Sequence, residues 1–150
     1  MYRLIANNDM NNYLEMKKRH QDEVNNFPMF FAFNGEQFDE GMRSLGLEPT
    51  EKSKICRVGS TGGFILKTDS DKLYDMLSRH EVEMKDAIKT DDAFIFEMFR
   101  YELDNHEYSY TGEISDTLIA LGLSMKDIDA DERLKAGLRK AQDYVMGNCD

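Results

Sequence analysis

Tryptophan is absent from the 150 residues, and proline and cysteine occur only twice each. Cys56 and Cys149 are far apart and lack CxxC spacing, so neither a zinc site nor a disulfide framework is implied, and the reducing cytosol is the expected compartment. Cations are also scarce. Lys and Arg total 19 against 29 Asp and Glu, a formal net charge of −10 and a pI near 4.8. Binding to phosphates needs Lys or Arg to displace counterions, so direct contact with DNA or RNA is disfavoured. The same balance favours a basic protein partner, including a nucleic-acid-binding protein whose groove an acidic surface can occupy; solubility is the ordinary alternative. No run approaches 18 consecutive apolar residues, and Met1–Asp9 turns polar too early for a signal peptide. A soluble cytoplasmic protein is expected.

What is present is clustered. Phe27-Pro28-Met29-Phe30-Phe31-Ala32-Phe33 is the densest aromatic stretch, and it stops at Asn34-Gly35. It reads as a buried strand at the centre of the core, followed at once by a helix that Asn34 caps and Gln37 reciprocates. That helix runs to Leu45, with Phe38, Met42 and Leu45 inward and Gly46 as its left-handed stop. Ile55–Val58 and Phe64–Lys67 flank the glycine-containing loop Gly59–Gly63, a hairpin signal.

Helical periodicity dominates elsewhere. An N-terminal amphipathic helix over Asp9–Asn25 carries a weak apolar stripe and is expected to be peripheral. Leu73, Leu77, His80, Met84 and Ile88 form a longer stripe, and Phe94, Ile95, Met98, Phe99 and Leu103 form the next, capped by Asp91 or Asp92. Ser115–Leu121 and Asp131–Met146 close the chain, the latter with Leu134, Leu138, Ala141 and Val145 inward. The expected architecture is α+β: one globular domain over residues 1–150, with a small antiparallel sheet of about three strands covered by five to six helices and an all-helical C-terminal half.

Catalytic patterns are sparse. His80-Glu81-Val82-Glu83-Met84 begins like a zincin helix but lacks the second histidine four residues on. Gly59–Gly63 leads into a strand, whereas a phosphate loop needs Gly-Lys-Ser/Thr and a following helix. Adjacent acids such as Asp39-Glu40, Asp91-Asp92 and Asp131-Glu132 diverge on a helix and read as solvated faces or caps. No catalytic residue, metal ligand or cofactor is assigned. Glu102 and His106, one turn apart, with His80 approaching from a neighbouring helix, make up the alternative: a small enzyme or ligand-binding domain, with or without a metal.

The favoured candidate is the acidic, tyrosine-bearing segment Glu97–Asp116. Glu97, Tyr101, Glu102, Asp104, Glu107, Tyr108, Tyr110 and Glu113 are the expected partner-binding residues, because carboxylates pair with Arg or Lys and tyrosine offers rigid contact area. The stretches Phe30–Met42, Lys67–Asp69, Met98–Tyr108 and Asp131–Leu134 resemble a family of small acidic uncharacterised proteins of firmicute bacteria, their mobile elements and phages. The resemblance brings no activity. Net charge, the absence of catalytic motifs and the resemblance together favour a non-enzymatic binder of a basic host-protein surface, with a mobile-element or phage inhibitor of a nucleic-acid-binding defence or regulatory factor as the expected form.

Overall fold

A computed structural model describes residues 12–147. The segment Met1–Asp9, Met10 at the start of the first stripe, and Cys149 lie outside the described residues. In order the elements are α1 (Asn12–Asn25), β1 (Phe30–Phe31), α2 (Gly35–Ser44), β2 (Ile55–Val58), β3 (Gly63–Leu66), α3 (Ser70–Thr90), α4 (Asp92–Asn105), α5 (Tyr108–Thr111), α6 (Ser115–Leu121), α7 (Met125–Ala130) and α8 (Glu132–Gly147). The class is α+β, with a three-stranded antiparallel sheet and only helices after it. Among the described residues there are eight α-helices, more than the five to six expected, because the single turn α5 and the six-residue α7 are too short to show a helical period in the sequence.

The described chain forms two compact units, one of residues up to Arg19 together with those from Glu83 onward, the other His20–Val82. The second unit holds the sheet, ordered β1-β3-β2, with Phe30 opposite Phe64 and Cys56 opposite Ile65. Successive strand residues point to opposite faces. Ile55, Phe64 and Leu66 therefore join Phe30, Met42 and Phe38 against α2, while Cys56, Val58 and Ile65 join Leu73 and Met76 of α3 and Val24 of α1. Val58 pairs with Gly63, so the hairpin loop is Gly59–Gly62, with both terminal glycines at positive φ. The Thr61 hydroxyl closes it, donating to the Val58 carbonyl at 2.7 Å and accepting from Gly63 N–H at 3.1 Å.

The aromatic stretch is not the core's centre. Phe30 is buried, but Phe31 is 54% and Phe33 77% exposed. β1 is a two-residue edge strand, so alternation turns Phe31 outward and Phe33 lies beyond the last pair. The Phe33 ring lies across the hairpin at Gly62 instead. Asn34 caps α2 as expected, accepting from Gln37 N–H at 2.8 Å, but Gln37 Oε1 accepts from Phe33 N–H at 2.7 Å, one residue before the cap. On α3, Met76 takes the inward place expected of Leu77, which is exposed.

The largest core lies in the other unit. Phe94, Ile95, Met98, Phe99 and Leu103 of α4 are buried against Leu134, Leu138, Ala141 and Val145 of α8, with Leu118 of α6, Ile128 of α7 and Tyr13 of α1. Burial of each such apolar side chain contributes about 1.5–3 kcal/mol, so the α4–α8 pair dominates the stability of this unit. Asp91 accepts from Phe94 N–H at 3.2 Å and starts α4 where the sequence places it.

Candidate functional site

The second half of α4 and the segment after it carry the expected docking residues, and burial divides them. Glu102 is 1% exposed. Its Oε2 accepts from the Tyr13 hydroxyl and from Lys17 Nζ at 2.7 Å, and its Oε1 lies 3.5 Å from Asn105 Nδ2 and 3.7 Å from His106 Nε2. Its backbone carbonyl accepts from the buried Thr117 hydroxyl at 3.3 Å. Burial, with the adjacent carboxylate, pushes the Tyr13 hydroxyl well above its ordinary pKa, so Tyr13 is a fixed donor. The Lys17 ammonium also lies 5.1 Å over the ring of Tyr101, which is half-buried. Glu97 is buried too, and desolvation raises its pKa against the partial offset of Arg100, whose Nη2 is 3.1 Å away.

Glu97 and Glu102 are therefore corrected: both are internal ion-pair residues, because α4's apolar stripe carries them inward with Met98, Phe99 and Leu103. Tyr108 is half-buried, its hydroxyl accepting from Gln142 Nε2 at 3.1 Å. Asp104, Glu107, Tyr110 and Glu113 are exposed, Tyr110 at 91%. Sequence reasoning missed Ile119, 75% exposed on α6, and Met125 at the start of α7; their apolar character in an acidic stretch was the available signal.

The charge around them is lopsided. From Asp104 to Glu132 there are eight carboxylates and one cation, Lys126, which accounts for −7 of the molecule's −10. Asp127 and Asp131 work as caps, for α7 and α8, and hydrogen bonds from Ser124 hold the Asp127 carboxyl below its usual range. Asp104, Glu107, Glu113, Asp116 and Asp129 remain exposed to water.

The histidines of the alternative reading belong to different units. Glu102 and His106 belong to the helical unit. His80 belongs to the sheet unit, stacked on His20 with ring centroids 3.9 Å apart and its Nε2 3.3 Å from Glu23. Among the described residues no group of three or more His, Cys, Asp or Glu side chains is disposed to hold a metal ion. No helix among them is long and apolar enough to cross a membrane.

No curated protein and no solved structure matches the chain. A family model does, over residues 12–144, which takes in every element from α1 through most of α8: the chain belongs to DUF7659, a family of unknown function.

Proposed function

We propose that this protein is a non-enzymatic binder that docks a basic surface of another protein through the segment from Asp104 to Asp129. The observation that carries the reading is the concentration of uncompensated, exposed carboxylates there around three exposed apolar side chains, Tyr110, Ile119 and Met125. Protein interfaces combine apolar or aromatic anchors with a charged rim, and a single-sign rim speeds encounter with the opposite charge. Arg-rich and Lys-rich surfaces that ordinarily meet nucleic acid have the complementary charge. Together with the resemblance to proteins of firmicute mobile elements and phages, this makes a host nucleic-acid-binding defence or regulatory factor the partner class. Glu97, Glu102 and the half-buried Tyr101 and Tyr108 support the surface from beneath.

The test matches total charge between two variants. Wild type, the variant Asp104→Lys/Glu113→Lys/Asp116→Lys, and a control reversing Glu36, Glu40 and Asp71 of the sheet unit are used to capture proteins from lysate at low and high salt. The expected result is a basic protein retained at low salt by wild type and control and lost from the first variant. Equal loss from both variants, or retention independent of salt, would sink the reading.

A further inference from the structure

The sheet unit carries an open groove of about 840 Å³ between the start of α2, the turn at Pro49–Lys52 and strand β2. Its chemistry is opposite to that of the acidic segment. Phe38 and Phe64 line it, ring to ring in an edge-on contact with centroids 5.4 Å apart. Lys52 lies 5.7 Å over Phe38 and Arg57 lies 5.5 Å over Phe64. Both cations are exposed, and among the described residues neither has a carboxylate partner, whereas Lys17, Lys54, Arg79, Arg100 and Arg133 all do. Asp39 also lines the groove.

We propose that this groove binds a nucleoside monophosphate: Lys52 and Arg57 swing off the rings of Phe38 and Phe64 onto the phosphate, the base takes their place over the rings, which Phe30 backs from the other side of Phe64, and a sugar hydroxyl donates to Asp39. Aromatic faces hold any base by stacking, and guanidinium and ammonium groups form charge-assisted bonds to phosphate. Charge favours one nucleotide over a strand: there are two cations for one phosphate, and a protein of net charge −10 repels a polyanion. The groove and the acidic segment lie in different units, so either proposal can fail alone.

Isothermal titration calorimetry with the four common nucleoside monophosphates is the direct measurement, with adenosine, inorganic phosphate and a short single-stranded oligonucleotide as comparison probes. The expected result is saturable one-to-one binding of at least one monophosphate, with affinity reduced at least about tenfold in Lys52→Gln/Arg57→Gln. Both substitutions are at exposed positions that leave the core intact. The proposal is overturned by no binding of any monophosphate, by equal binding of inorganic phosphate, by tighter binding of the oligonucleotide, or by affinity unchanged in the double variant.

Discussion

Tyr13 and Glu102, 89 residues apart in sequence, meet by a hydrogen bond inside the helical core. A buried carboxylate is tolerated only when it is paired and hydrogen-bonded, and Tyr13 and Lys17 on one face of α1 supply both kinds of partner to the same oxygen. Tyr13→Phe keeps the ring against Phe94 and deletes only the hydroxyl. The expected loss is about 1–3 kcal/mol, read as a lower urea midpoint at unchanged slope. An unchanged midpoint would mean that Lys17 alone satisfies the carboxylate.

The same contact predicts an alkaline limb. The Tyr13 hydroxyl is raised above its unfolded value of about 10. A raised folded pKa gives stability that is fully present below the unfolded value and is lost as pH rises past it. Urea midpoints should therefore fall above about pH 10, less steeply in Tyr13→Phe. Absorbance at the tyrosinate band should show one residue ionising only with unfolding.

Glu23 sets the acid limb of the sheet unit. Two hydrogen bonds from Arg79, one at 3.2 Å, and the proximity of His80 at 3.3 Å hold its carboxyl down at about 2. A depressed folded pKa gives stability present above the unfolded value and lost as pH falls towards the folded one. Stability should decline between the ordinary glutamate range and about pH 2, and Arg79→Gln should shift the onset of that decline. Superimposable acid profiles of wild type and Arg79→Gln would show that the exposed pair contributes nothing.

Gly41 tests the packing beneath the sheet. A Cβ there would lie 2.0 Å from Phe30 Cδ1 and 2.3 Å from its Cγ, so the ring as a whole must move. Phe30 cannot swing freely, since it stacks on Phe64 at 5.2 Å and abuts Phe38 at 5.8 Å. Alanine favours a helix by about 1 kcal/mol over glycine, whereas overpacking costs about 1–3 kcal/mol. Gly41→Ala should therefore be neutral to about 2 kcal/mol less stable, with the near-ultraviolet aromatic signal altered. A gain in thermal stability would mean that the ring relocates without cost.

Local order was legible in the sequence; the pairing of distant segments was not. The spacing of Phe94, Ile95, Met98, Phe99 and Leu103 placed α4 and its buried face correctly, as Leu134, Leu138, Ala141 and Val145 did for α8, because a 3.6-residue period is a property of the segment itself. Glu102 follows Met98 and Phe99 by four and three residues, so the same stripe could have marked it as buried. Its charge argued otherwise, and nothing local to α4 reveals that Tyr13 and Lys17 come to meet it. Phe31 and Phe33 failed for the converse reason. Their apolar character signalled core, while the length and edge position of β1, set by pairing with β3, turned them out.

Glu107 separates folding from recognition. Among the described residues it is the one non-glycine at positive φ, at φ 58 and ψ 34, where the chain turns from α4 into α5. Its backbone does the structural work, with the carbonyl accepting from Tyr110 N–H at 3.0 Å and Thr111 N–H at 3.1 Å. Its side chain is exposed beside Asp104 and Tyr108 in the chain. Asparagine tolerates the left-handed region better than glutamate, which pays about 1–2 kcal/mol there. Glu107→Asn should therefore melt at the same temperature or higher, while removing one charge from the proposed docking segment and weakening capture of the basic partner. A variant that is less stable than wild type would show that the carboxylate serves the fold; one that is equally stable and captures equally well would place Glu107 outside the interface.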